Sequence, residues 1–202
     1  MTCSQLEHID NEYIAMVQQK YPDRIIGFAV INPWAMNAEE ELERCFLEYH
    51  LYGVKLNPVR FGFAADRHSL LDPFFKLCSQ YHKVVAGHAM SDLFSLPAKW
   101  EEMARTFPDV IFVLSHIGIP MMVDSALRIA QRNPNIYLNT AVVFAPVVQR
   151  AIEEAGPQKV VFASDAPYGS MSHHLQIIRN ATCDAQAREL VLGENMRKVF
   201  NL

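Results

Sequence analysis

The sequence predicts an α/β fold of the TIM-barrel type, incomplete, with six parallel strands in view. Three observations predict it. Short β-rich segments alternate with longer amphipathic ones, the pattern of parallel strands joined by crossover helices. Several of the strands are apolar almost throughout, as expected when both faces of a parallel sheet are covered. Finally, Lys55, Asn57, His88, His116, Asn139 and Asp165 recur at the carboxyl ends of successive strands, the rim where barrels of this type build their sites. An open doubly wound sheet is the competing arrangement. Its nucleotide-binding forms lose their strongest signal, because no Gly-x-Gly-x-x-Gly follows a strand and no Gly-rich run ends in Gly-Lys-Ser/Thr.

In chain order, the expected strands are Ile25–Ile31, Gly53–Leu56, Val84–Gly87, Val110–Ser115, Ile136–Thr140 and Val160–Ser164. A first helix is expected over Tyr13–Tyr21. In Ala38–Tyr49, Leu42, Cys45, Phe46 and Tyr49 recur at helical spacing, and Asn37 with Glu40 resembles a capping box. Asp72–Tyr81 follows, and Pro97 can open a helix that buries Trp100, Met103, Ala104 and Phe107. Met121–Arg132, Val147–Ala155, Ala185–Leu192 and a last turn near Asn195–Phe200 complete the set. No linker or repeat divides these units, so residues 1–202 read as one domain.

With 18 Lys and Arg against 22 Asp and Glu, the net charge is −4, and half of the residues are hydrophobic. That balance is globular. The basic residues are scattered, so a nucleic-acid partner is not expected. No apolar run reaches the roughly 18 residues of a spanning helix, so no membrane partner is expected either. Cys3, Cys45, Cys78 and Cys183 lack metal-knuckle spacing and read as reduced, buried or half-buried thiols of a cytoplasmic protein.

Among the strand-end residues, His88 sits where an imidazole can bind a metal through one nitrogen while the other is held by an acceptor; capping of the strand is the alternative. His116, 28 residues on, can exchange a proton near neutral pH, or be a buried and satisfied ring. Asp165 ends an apolar strand, where a carboxylate is costly unless it binds a cation, moves a proton or caps a helix. Lys55, Asn57, Asn139 and Tyr168 are candidates for lining a substrate pocket, with local caps and turns equally open. Arg60 is a weaker candidate for an anion. His173 and His174 read as surface or cap residues, and His8, His50, His68 and His82 as ordinary ones.

Taken together, Tyr21–Ala29, Ile31–Pro33, Gly53–Pro58, Ser115–Gly118, Asn135–Leu138, Ser164–Tyr168 and Leu192–Asn195 resemble the metal-dependent amidohydrolase superfamily, in the amidohydrolase-related branch that includes aminocarboxymuconate-semialdehyde decarboxylase. The resemblance implies that His88 is a metal ligand, that His116 lies beside the nucleophilic water or the substrate, and that Asp165 handles the proton and the metal. It implies a divalent metal, with zinc expected. Many relatives carry His where this chain has Asn57. Relatives also begin with a strand bearing His-x-His, which neither His8 nor any other early residue supplies. The six strands are therefore read as the third to eighth of a truncated barrel, with self-association into a homo-oligomer as one way to cover the exposed edges.

The leading functional expectation is a metal-dependent hydrolase acting on an amide, ester or lactone carbonyl, impaired if the amino-terminal ligands are missing. A nonhydrolytic decarboxylase of an aromatic or enol carboxylic acid is the second reading. A noncatalytic ligand-binding or structural remnant is the third. The partner in the first two is a small carbonyl or carboxylic-acid substrate.

Overall fold

Apolar four- and five-residue runs pair side by side in the order in which they occur. In the computed structural model, which describes residues 1–202, they form one open parallel sheet. Its strands are β1 (Thr2–Cys3), β2 (Gly27–Val30), β3 (Gly53–Leu56), β4 (Val84–His88), β5 (Phe112–Ser115), β6 (Ile136–Asn139) and β7 (Val160–Val161). The fold is an incomplete TIM-barrel-like sheet, with β1 and β7 at its two edges. It has seven strands rather than the six expected. β1 was missed because two residues show no periodicity; it exists because the edge of β2 offers unpaired backbone groups, with Thr2 beside Gly27 and Cys3 beside Phe28. At the other edge, β7 is shorter than Val160–Ser164. Phe162 donates its N–H to the Val191 carbonyl at 2.8 Å instead of continuing the ladder.

The helices are α1 (Asn11–Lys20), α2 (Ala38–Leu47), α3 (Pro58–Phe61), α4 (His68–Gln80), α5 (Pro97–Thr106), α6 (Val123–Arg132), α7 (Ala145–Arg150), α8 (Met171–Ala181), α9 (Ala185–Glu189) and α10 (Asn195–Phe200). None is long and apolar enough to cross a membrane. α4 starts a turn before the expected Asp72 and has Pro73 inside it. α8 was not expected at all. Asn37 precedes α2 but makes no side-chain cap bond, so the expected capping box does not form.

Side chains alternate between the two faces of each strand, and both faces are covered. The outer row, including Val54, Leu56, Val85, Phe112, Leu114, Ile136 and Leu138, packs in one core with Leu42, Phe46, Phe75, Trp100 and Leu127 of the helices. The inner row is smaller: Phe28, Val84, Val113 and Val161, floored by Met196, Val199 and Phe200 of α10. Phe200 meets Phe28 and Tyr52 edge to face, at 6.1 and 5.7 Å between ring centres. The buried Asn195 amide pins this floor to β7 by donating to the carbonyls of Pro157 (2.7 Å) and Val160 (2.8 Å). Gly53 is required where β3 crosses this floor, because a Cβ there would lie 2.1 Å from the Val84 carbonyl oxygen and 2.4 Å from the Phe28 ring.

Candidate functional site

The register of the sheet decides which polar residues meet. Lys55, Ala86, Val113 and Tyr137 form one inward row, and His88, Ser115 and Asn139 form the next, two residues nearer the carboxyl ends. Lys55 therefore rises from one layer beneath the histidine row. Its amine donates to Ser115 Oγ at 3.4 Å, and Asn139 Nδ2 donates to the same oxygen at 2.9 Å. Ser115, which sequence reading passed over, is the hub of the row. Its only signal was its place next to His116 at the end of an apolar strand.

His116 hydrogen-bonds through Nδ1 to the Ala141 carbonyl at 2.9 Å, and a carbonyl can only accept, so Nδ1 carries the proton. In the neutral ring Nε2 is then an acceptor. His88 Nδ1–H donates to it at 3.1 Å, which leaves His88 Nε2 bare. Burial lowers the pKa of both rings; that of His88 falls to about 3, with the neighbouring His116 and Lys55 adding to the effect. The pair is a neutral, directional hydrogen-bond chain. Behind it, the Trp100 indole N–H donates to the His88 carbonyl at 2.9 Å. Gly87 permits this approach, since a Cβ there would lie 2.8 Å from the indole.

The Lys55 amine makes no ion pair. Burial lowers its pKa below the ordinary lysine value, opposed by the proximity of Cys3 on β1 and Asp165 after β7. Both edges of the sheet thus curl toward this amine. Lys55 and His88 are partly covered as whole residues, while the Lys55 amine itself is buried. The rim above it is strained: His116, Ile117, Val142 and Asp165 all have left-handed backbone (φ 71, 50, 59 and 58°). Such conformations cost roughly 1–3 kcal/mol each for residues other than glycine and cluster at functional sites.

Other expected site residues fall elsewhere. Asn57 caps α3, its Oδ1 accepting from the Arg60 N–H at 3.0 Å. Arg60 lies exposed, 3.9 Å from Glu7. Tyr168 is 75% exposed. Asp165, by contrast, is exposed but stays near enough to Lys55 for its charge to act on that amine. His174, expected at the surface or as a cap, is buried: it bonds the Ser170 carbonyl at 2.9 Å and accepts from the Val142 N–H at 3.1 Å, fixing the strained β6–α7 loop. Cys183 is exposed, whereas Cys45 and Cys78 are buried and all four thiols are free. A cavity of about 830 Å³ lies apart from the strand ends, between α1 and the turn at Tyr49–Tyr52. It contains none of the expected chemistry, so side-chain chemistry rather than cavity size locates the site.

No three His, Cys, Asp or Glu side chains come together in a way that could hold a metal ion. The facing nitrogens of His88 and His116 are bonded to each other instead of converging on a common point. The chain's own side chains therefore do not fit a metal centre of the usual three-ligand kind. What they assemble is one buried amine beneath two neutral imidazoles.

The amidohydrolase family profile matches residues 1–202. No curated protein matches the chain. Among solved structures, it is similar to 5-carboxyvanillate decarboxylase from Sphingomonas paucimobilis (20% identity, TM-score 0.77, 95% of this chain and 71% of that one). It is also similar to a dihydroxybenzoic acid decarboxylase from Polaromonas solved with manganese and the inhibitor 2-nitroresorcinol (20%, 0.75, 95% and 74%). An uncharacterised TIM-barrel protein from Bordetella bronchiseptica matches as well (19%, 0.78, 96% and 72%). At these identities the structures share the fold with this chain, and the metal recorded among them is manganese rather than the zinc expected from sequence.

Proposed function

We propose that this chain, which belongs to the amidohydrolase family, is a carboxy-lyase releasing carbon dioxide from a small aromatic or enolic carboxylic acid held at the carboxyl ends of β3 to β6. One observation carries the reading: Lys55 offers a buried amine, without an ion-pair partner, directly beneath the His88–His116 chain. Loss of carbon dioxide leaves an electron pair on carbon, which needs an acceptor, and a carbon that must then take a proton. Lys55 answers the first need and the imidazoles the second, with Asp165 biasing the charge of the amine from the opposite edge. Asn139 and Ser115 hold the amine in place. The decarboxylases among the similar structures support this choice over hydrolysis, which was the first expectation.

The test is carbon dioxide release from a panel of hydroxybenzoates, carboxyvanillate and 3-oxo acids, run beside ester and lactone hydrolysis, with and without added manganese or zinc. The expected result is release from at least one acid, reduced about 10³-fold in Lys55→Met. Ester or lactone hydrolysis with no carbon dioxide, or release indifferent to Lys55→Met, overturns the reading.

A further inference from the structure

We propose that the cleft of about 830 Å³ between α1 and the turn at Tyr49–Tyr52 binds an organic polycation, a molecule whose ammonium groups are joined by methylene chains. This site is separate from the strand-end site and independent of the carboxy-lyase reading. It opens beside Ile25 and Tyr52, which precede β2 and β3, whereas the histidines and Lys55 belong to the carboxyl ends of the strands. Its volume falls within the roughly 300–1,000 Å³ of small-molecule pockets. Its two walls are braced against each other by the Gln18 amide of α1. Nε2 donates to the His50 carbonyl at 3.1 Å, while Oε1 accepts from the Gly27 N–H at 2.8 Å. The far wall is held in turn by the Leu51 N–H, which donates to the Cys45 carbonyl at 3.0 Å and anchors the turn to α2.

The lining defines the occupant. Half-exposed apolar surface comes first: Tyr13 and Met16, each 55% exposed, form a stripe on α1, and Tyr49 and Tyr52 belong to the other wall. Tyrosine rings of this wall already take cations, since the Arg44 guanidinium lies 4.9 Å from the ring centre of Tyr49 and the Lys83 amine 6.0 Å from that of Tyr52. Charge complementarity comes second. Asp10 and Glu12 stand on the α1 side and Glu48 on the other, and no Lys or Arg lines the cleft. Asp10 uses one oxygen to cap α1, accepting from the Tyr13 N–H at 2.8 Å. Glu12 and Glu48 belong to none of the chain's ion pairs. Arg44 does not answer them, because Glu41 already pairs with it at 2.7 Å. The walls are close enough to feel each other: burial raises the pKa of the Tyr49 hydroxyl, Arg44 opposes this, and the charge of Glu12 adds to it from α1. Carboxylates on two walls repel, and a cation touching both relieves that repulsion. A bare divalent ion would leave the tyrosine and methionine surface unused, and a single ammonium would serve one wall. A polyammonium chain serves both, with its charges on the carboxylates and its methylenes along Tyr13, Met16 and the facing rings.

The experiment is calorimetric titration of the full chain with spermidine at physiological ionic strength, run beside butylamine, magnesium chloride and a lysine-rich peptide. Glu12→Gln and Glu48→Gln remove one carboxylate from each wall, and Glu189→Gln, exposed on α9, makes the same change of net charge elsewhere. All three side chains are exposed, so the variants should fold, which circular dichroism checks. One saturable spermidine site, weakened about 3-fold in each cleft variant and about 10-fold in the double variant but unchanged in Glu189→Gln, supports the proposal. No saturation up to about 1 mM spermidine overturns it. Magnesium binding as tightly, or an equal loss in Glu189→Gln, would reduce the effect to general charge screening and overturn it too. Butylamine binding as tightly as spermidine rejects the polycation. Binding of the peptide without spermidine makes the cleft a protein-docking surface instead. Spermidine binding that survives the double variant and is displaced by manganese lies at the strand ends, and that outcome also overturns the proposal.

Discussion

Two charged side chains sit inside this protein, Glu101 and Lys55, and the fold treats them in opposite ways. Glu101 on α5, 7% exposed, is matched on every side: Arg132 binds it through two nitrogens, the Asn133 amide donates at 2.7 Å, and Arg105 lies 3.8 Å away. Its pKa is lowered, first by the Arg132 hydrogen bonds. Lys55, on the inner face of the sheet, has one long hydrogen bond and no ion pair, and its pKa is lowered by burial itself. A matched buried charge locks two helices together; an unmatched one costs stability and remains available for chemistry. The outer layer is built to hold and the inner rim to react. Trp100, next to Glu101, connects the two by donating to the His88 carbonyl.

That contrast can be broken from either side. Glu101→Ala is expected to give the largest loss of stability, about 2–3 kcal/mol in denaturant unfolding, because it strands the Asn133 amide and unlocks α5 from α6. The same pair makes an acid-sensitive component. The folded pKa of Glu101 is depressed, so its stabilisation is complete above the unfolded value near 4.5 and is lost as pH falls through the folded value. Glu101→Gln should flatten that part of the pH–stability curve, and an unchanged curve would remove Glu101 from the account. Lys55→Met should move stability the other way, by about +1 kcal/mol at neutral pH, while abolishing turnover. Its gain should shrink as pH rises toward 10.5, where the unfolded chain's amine also loses its proton. A Lys55→Met variant less stable than the native chain would mean that the amine is matched after all. The smallest effect belongs to the connection: Trp100→Phe should cost about 1 kcal/mol and slow turnover several-fold, read as a drop in kcat with little change in KM.

Much of this layout was legible in the residues. The alternation of apolar runs with amphipathic helices gave the parallel sheet, because burial on both faces demands it. His88, His116 and Lys55 were visible as polar residues ending apolar strands, and the register brings them to one rim. β1 and α8 were not visible. A two-residue strand exists only because a neighbouring edge completes it, and α8 has polar residues and two adjacent histidines at its start, which blur its pattern. The roles of Asn57, His174 and Ser115 were also hidden, since a cap, a loop anchor and a hub differ only in what lies across from them.

By itself the sequence determined the fold class, the order of the strands and which polar side chains end them, because period, apolar burial and turn chemistry act over neighbouring residues. Only the tertiary structure decided that the two histidines bond each other rather than converge with Asp165 on an ion, and that Lys55 is buried with almost nothing to match it. Those outcomes depend on register and on the curl that brings Cys3 and Asp165 toward one amine from opposite edges. Register and curl are set by the packing of ten helices and a floor of aromatic rings, over distances no local pattern spans.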